Sequence, residues 1–456
     1  MRVVVVGAGP AGLAAAGAAA RQGASVLLVD AEPSAGGQYH RGEHIEVPQG
    51  VEHLADTTVW ALEGTRLHLR TGPADAPDRV ARVVDADTLV LATGAHDRAL
   101  PFPGWDLPGV VTAGGAQAMA KAHGVTIGKR VVVAGTGPFL LPVADFMCRL
   151  HVQVVEVLEA GSPLAWAREP AGVVAGRGKL AEIVRYRAVL PRYRTRSAVV
   201  AAHGTDRVTA VTVAKLDREW KVRPGTERRI EVDAVCVGFG FTPRLELAVA
   251  AGCLVRDGFV RVDERQATSV PNVYAAGEIT GIGGADLARA EGEIAGTCAA
   301  NGVPAPATLK AVRAGRTFAA ALDRVYQIRP GWRTWLDERT LVCRCEEVDL
   351  AALRAAVEDH AALGLRSLKL TCRVGLGLCQ GRVCLRNAAE LAGFPYDAER
   401  FSRRPIAAPL RLGELADTPH SPTTTFADHH TADRHTADHR TPTTAPPRTG
   451  SPALEE

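Results

Sequence analysis

Near its N-terminus the chain runs from four consecutive valines, Val3 to Val6, directly into Gly7-Ala8-Gly9-Pro10-Ala11-Gly12, and then into an alanine-rich stretch that closes near Gly23. This is the feature that most restricts the fold. The valines read as a buried parallel strand and the alanines as a helix, with the glycines forming the turn that sets a pyrophosphate on free N–H groups at a helix N-terminus. Gly7 permits the turn, Gly9 lets the backbone approach a phosphate, and Gly12 lets the helix lie close to the strand. A second apolar strand, residues 25–29, ends in Asp30, whose carboxylate can accept hydrogen bonds from a ribose hydroxyl. Gly7, Gly9, Pro10, Ala11, Gly12 and Asp30 are therefore candidate cofactor-binding residues. A glycine-rich turn with no ligand is the bland alternative.

The same architecture recurs. Residues 51–92 alternate apolar and polar residues in short pieces, which reads as a small antiparallel layer. It closes on Leu89-Val90-Leu91-Ala92-Thr93-Gly94, and here the chain resembles the flavoprotein reductases with two dinucleotide domains, in which such a strand returns to the flavin. A Pro/Gly-rich hinge over 101–115 leads to another buried strand, 130–134, then Gly135-Thr136-Gly137-Pro138-Phe139-Leu140, a helix to Arg149, a strand over 152–157 and Glu159. Leu140 stands where the third glycine belongs and should push the helix off its strand. Gly135, Gly137 and Glu159 can still hold NAD(H) or another nucleotide, with the acid favouring a free 2′-hydroxyl. A structural Rossmann unit with a repurposed pocket is the alternative. Later, Val273-Tyr274-Ala275-Ala276-Gly277-Glu278 before a helix near Asp286 looks like the second flavin signature, which makes FAD the cofactor of the first unit. Gly37 and Gln38 in the Gly36-Gly37-Gln38 turn, Thr93, Gly94, Gly277 and Glu278 complete its candidate set. No general base can be named, although His40, His96 and Arg98 fall in loops near the expected ring.

The disulfide reductases of this fold carry a redox cysteine pair beside the flavin, and this chain lacks it: Cys148, Cys236, Cys253 and Cys298 are isolated. Four other cysteines cluster near the C-terminus as Cys343-Arg344-Cys345 and Cys379-Gln380-Gly381-Arg382-Val383-Cys384. Two short-spaced pairs can hold two iron ions, with Gly375, Gly377 and Gly381 allowing turns that aim N–H groups at sulfur. A four-cysteine zinc site is compatible with the same spacing. Cys372 is a spare thiol nearby.

At 456 residues, with 46% apolar and 23% charged residues and a net charge of +3, the chain is long enough for several domains. That charge gives no electrostatic reason to expect nucleic acid, and no run is both long and apolar enough for a membrane span. Arg2, the valines and Ala18-Ala19-Ala20 imitate a secretory signal, but cleavage there would delete the first strand and the loop glycines. Unpaired thiols point to the cytoplasm. The expected architecture is α/β. It comprises two Rossmann-like dinucleotide-binding domains, the second (113–243) inserted in the first (1–112 and 244–302), then a linker and helical segment (303–336) and a small helical [2Fe–2S] domain (337–396). A disordered tail follows (397–456), with an imperfect His-Thr-Ala-Asp repeat and five histidines that could at most scavenge metal weakly.

Taken together, Gly36-Gly37-Gln38, the 101–115 hinge, Gly137-Pro138-Phe139-Leu140-Leu141-Pro142 and the cysteine set resemble one family over residues 1–400. It comprises the flavin and iron–sulfur subunits of opine oxidase, hydroxyproline or proline dehydrogenase and hydrogen cyanide synthase. These subunits are related to the large subunit of heterotetrameric sarcosine oxidase. The resemblance implies a [2Fe–2S] centre of the bacterioferritin-associated-ferredoxin type on Cys343, Cys345, Cys379 and Cys384, and an altered second nucleotide motif. It also implies a hetero-oligomer in which an amino-acid-oxidase-type flavoprotein subunit oxidises an amine or amino acid while this chain relays electrons. A self-sufficient NAD(P)H-dependent flavin reductase and a non-catalytic electron carrier are the rival readings.

Overall fold

In the computed structural model, residues 1–416 are described apart from 75, 180–183, 187–188 and 405. The N-terminal valines form the central strand of a five-stranded parallel sheet, in the order Val273–Ala275, Thr88–Leu91, Arg2–Val6, Ser25–Val29, Val51–Leu54. Side chains alternate across a strand, so the run is divided between two cores. Val3 and Val5 face the helices Pro10–Arg21 and Ala285–Ala299, while Val4 and Val6 face an antiparallel layer of Thr57–Glu63, Arg66–Thr71 and Val80–Asp85. The two helices meet through their smallest residues. A Cβ on Gly292 would stand 2.0 Å from the Ala11 carbonyl oxygen, so no other residue lets the backbones approach this closely.

The inserted domain repeats the plan with a parallel sheet ordered Tyr193–Thr195, Gln153–Glu159, Arg130–Gly135, Ala234–Gly238, Val110–Thr112. Against it packs an antiparallel layer of Ser197–His203, Ala210–Lys215 and Arg228–Glu231. The chain enters and leaves the insertion through an antiparallel ribbon of Ala95–Asp97 and Phe241–Pro243.

Three boundaries differ from the sequence reading. Val51–Leu54 extends the parallel sheet instead of opening the antiparallel layer, because its register continues Ser25–Val29. Val110–Thr112 belongs to the second sheet, paired with Ala234–Gly238, so the insertion begins before residue 113. The first twenty residues of the expected tail, 405 apart, are described and carry the helices Ala398–Ser402 and Leu412–Ala416. Specific contacts and core packing both hold this strap: the Ala407 N–H donates to the Trp60 carbonyl at 2.7 Å, Arg79 and Glu414 form a 2.7 Å ion pair with both side chains under 10% exposed, and Ala407 and Phe401 pack on neighbouring cores. The remainder of the expected tail, with the His-Thr-Ala-Asp repeat, lies outside the described residues.

The segment expected as a linker is built into the second domain. After the helix Pro306–Val325, Trp332 is fully buried, and Trp335 stacks on Trp220 while its Nε1–H donates to the Trp220 carbonyl at 2.8 Å. The cysteine domain follows as a two-stranded ribbon, Leu341–Cys343 with Val348–Asp349, and the helices Leu350–Glu358, Leu365–Cys372 and Leu385–Ala392 around their own small core.

Candidate functional site

The first glycine loop is made tight on one side and open on the other. A Cβ on Gly7 would lie 2.3 Å from the Ala92 carbonyl oxygen, and one on Gly12 would lie 1.7 Å from that of Gly7, so strand, turn and helix require glycine at both. Gly9 has no atom within 4 Å of where its Cβ would stand, which leaves its backbone accessible to a phosphate. Asp30, largely buried at the end of its strand, accepts the Ala8 and Glu32 N–H groups, the second at 2.8 Å; burial raises its pKa. Its carboxylate therefore both fixes the loop and keeps acceptor capacity for a ribose. Gly37, at φ +58°, packs against the Gly9 backbone. Gln38 next to it is held by Arg41, whose Nε–H donates to the Gln38 carbonyl oxygen at 3.2 Å, and Arg41 also pairs with Glu32.

Thr93 and Gly94 leave the sheet edge and are fastened to the returning chain: the Thr93 hydroxyl donates to the Arg244 carbonyl at 2.7 Å, and the Arg244 N–H to that of Gly94 at 2.9 Å. On the other side of the cleft, Glu278 follows a turn held by Glu291. That buried carboxylate accepts the Gly277 N–H at 3.0 Å, the Thr280 hydroxyl at 2.8 Å and the Arg316 Nε–H at 2.9 Å. Burial, with the Asp97 carboxylate as a second cause, pushes the Glu278 pKa up to about 7. Asp97 itself accepts the Gly114 and Gly115 N–H groups at 2.8 and 3.2 Å, at the start of the helix Ala113–His123. Glu291, Arg316 and Asp97 escape a motif search because their roles come from contacts with remote turns. These residues fit a flavin dinucleotide.

In the inserted domain, Gly135 again permits a close approach, here to the Gly238 carbonyl, and Gly137 is open. The acid behaves differently. Glu159 is fully buried and accepts the Thr136 hydroxyl at 2.7 Å and the Gly137 and Gly161 N–H groups at 2.9 and 2.7 Å. Burial raises its pKa, and the Tyr193 hydroxyl is a further donor. Leu140 is accommodated by starting the helix Leu140–Arg149 later, with Leu140 itself buried in the domain core. The carboxylate expected to select a 2′-hydroxyl thus also holds the loop.

The four terminal cysteines are brought together. Cys384 Sγ lies 3.6 Å from Cys343 Sγ, and Cys379 accepts thiol hydrogen bonds from Cys384 and Cys345. The Cys384 contact, followed by N–H donors from Gly375, Glu346 and Cys345, lowers the Cys343 pKa to about 6. Cys384, with the Val383 and Gly381 N–H groups and the Cys345 thiol, lowers that of Cys379 to about 5, although burial opposes it. Cys384 caps the helix Leu385–Ala392, so the positive end of that helix adjoins the sulfurs. Gly377 seats directly on Cys345, where a Cβ would come within 2.3 Å of the cysteine's own. Cys372 instead donates to the Leu368 carbonyl of its own helix at 3.2 Å. The thiols share protons in a chain; among the described residues no three His, Cys, Asp or Glu side chains already surround one metal position. The donor set, four thiols with backbone N–H groups aimed at them, fits an iron–sulfur centre.

His96 and Arg98 do not line the cleft as expected. They lie on and just after the ribbon strand Ala95–Asp97 and face the cysteine domain.

Fold and loop chemistry define a two-domain dinucleotide-binding oxidoreductase. The family model for pyridine nucleotide-disulphide oxidoreductases matches residues 1–292, and the chain belongs to that family. It is 32% identical to an opine oxidase subunit of Agrobacterium tumefaciens over 479 residues, covering 92% of each chain. It is 33% identical to the HcnB subunit of hydrogen cyanide synthase from Pseudomonas protegens, covering 88% of this chain and 96% of that one. Among solved structures, L-proline dehydrogenase from P. horikoshii superposes with a TM-score of 0.64 at 18% identity, over 91% of this chain and 79% of the other, and so shares the fold. Among the described residues no helix is long and apolar enough to cross a membrane.

Proposed function

We propose that this chain is the FAD- and [2Fe–2S]-binding subunit of a cytoplasmic amine or amino-acid dehydrogenase. Its substrate is of the opine, proline or hydroxyproline class, oxidised with a second flavoprotein subunit of the amino-acid-oxidase type. The observation that carries the reading is the gathering of Cys343, Cys345, Cys379 and Cys384, with backbone N–H groups aimed at their sulfurs, in a flavoprotein fold without a redox cysteine pair. The names of the relatives, subunits of opine oxidase and hydrogen cyanide synthase, support the substrate class and the hetero-oligomer.

In this reading Gly7, Gly9, Pro10, Ala11 and Gly12 hold the pyrophosphate and Asp30 the ribose. Gly37, Gln38, Thr93, Gly94, Gly277 and Glu278 surround the rest of the cofactor. When bound, a flavin and an iron–sulfur centre would supply the conversion of a two-electron oxidation into single-electron transfer. Glu291 and Asp97 fix the turns beside the proposed flavin site, and burial of Glu278 favours its protonated form toward neutral pH. A nucleotide at Gly135 and Gly137 would have to bind without Glu159.

The test is anaerobic purification with and without the partner subunit. Bound flavin, about two irons and two acid-labile sulfides per chain, and amine-dependent dye reduction only by the complex are expected. Zinc without sulfide would refute the cluster, and flavin bleaching by NADH in the isolated chain would favour a self-sufficient reductase. Cys379→Ser should abolish iron retention while leaving flavin content unchanged.

A further inference from the structure

The strand that leaves the flavin turn also carries the seam with the cysteine domain. Its residues alternate in direction, as a strand requires: Asp97 faces the cleft, where it acts on Glu278 and holds Gly114, whereas His96 and Arg98 face the other way. His96 Nε2–H donates to the Arg382 carbonyl at 3.3 Å, Arg98 pairs with Glu390 at 2.7 Å, and the Ala99 carbonyl accepts from Asn387 at 2.8 Å. Three contacts thus reach the cysteine domain from four successive residues.

Arg382 lies inside the Cys379–Cys384 loop. Its side chain is committed elsewhere, to Glu246 at 2.5 Å and to the Ala407 carbonyl at 3.0 Å, so its carbonyl is the group available to His96. The seam is also costly: His96 Nδ1, Arg98 Nε and Asn387 Oδ1 are buried without a hydrogen-bond partner. Burying polar groups without partners costs free energy, yet the seam keeps three polar contacts, and such contacts fix direction and distance as apolar packing does not.

We propose that His96 is a positioning residue for electron transfer within the chain, clamping the cysteine loop to the strand that emerges from Thr93 and Gly94. This rests on the proposed function. In each transfer one electron leaves the reduced flavin and one ferric ion of the centre becomes ferrous. A hydride's two electrons pass in two such events, with a one-electron acceptor outside the chain emptying the centre between them and the flavin proton released to water.

The test uses the full chain carrying flavin and iron, with the flavin reduced by light and the arrival of electrons on iron followed by absorbance and paramagnetic resonance. His96→Leu should keep flavin and iron content but slow that arrival severalfold, since electron tunnelling weakens steeply as the gap between two centres widens. His96→Gln, which restores an N–H donor, should recover most of the rate. Wild-type speed in a fully loaded His96→Leu chain, or equal slowing by Gln and Leu, overturns the proposal. If His96→Leu loses iron, Arg98→Gln, which opens the neighbouring contact, should slow transfer with cofactors intact; unchanged transfer there overturns the proposal. Wild-type protein with flavin and no iron overturns both this inference and the reading beneath it, whereas normal wild-type transfer unaffected by these variants overturns the seam alone.

Discussion

The two glycine loops begin alike and end differently. In the first, Asp30 accepts two N–H groups and stays at the mouth of a loop whose third glycine lets the helix approach the strand. In the second, Glu159 is buried under three donors at 2.7 to 2.9 Å, and Leu140 takes the third glycine's place in the core. The same sequence pattern, strand, glycines, helix and acid, therefore leaves its acid with two backbone donors in one place and with more, including the Thr136 hydroxyl, in the other. What separates them is how many donors the fold brings to the acid: a carboxylate with its acceptor sites filled has little left for a ribose.

The largest effect should come from inserting a side chain into each loop. Gly9→Val is expected to abolish flavin retention, measured by absorbance of the purified protein, and Gly137→Val to leave it intact. Loss of flavin from both would erase the distinction. Next, Glu159→Gln should lower the unfolding free energy by about 1–3 kcal/mol, because it removes an acceptor from buried donors, and should not change flavin content; Asp30→Asn, which also disturbs two N–H donors, should lower flavin content, as denaturant titration with flavin assay would reveal.

A smaller effect concerns pH. The Glu278 pKa is raised from 4.5 to about 7, so the folded state favours the protonated acid. Its contribution to stability is complete below about pH 4.5 and is lost as pH rises to about 7. The flavin-free protein should lose stability over that window, and Glu278→Gln should flatten the loss. Glu414 gives the opposite sign and the least consequence for the cofactors. Its hydrogen bonds from Arg79 lower its pKa from 4.5 to about 2, so its contribution is present above about pH 4.5 and lost as pH falls to about 2. Glu414→Gln should remove that acid sensitivity from thermal unfolding with flavin and iron content unaltered.

Much of the fold was legible in local pattern. The valine run, the glycine spacing and the return to Gly277 and Glu278 specify strands, tight turns and helix starts through short-range sterics, which a sequence displays directly. The short spacings of Cys343 with Cys345 and of Cys379 with Cys384 are displayed too, but not that Cys384 meets Cys343 and Cys345 meets Cys379. The strap up to residue 416 was not legible, because its fastening depends on remote partners, Trp60 and Arg79, and on cores that only the folded chain brings to Ala407 and Phe401. The roles of Glu291, Asp97, His96 and Glu159 were also hidden. Sequence by itself determined which residues could bend the backbone or carry charge. Tertiary structure decided which of those charges face the cleft and which are spent on the protein, because that choice depends on how many distant donors meet each buried group.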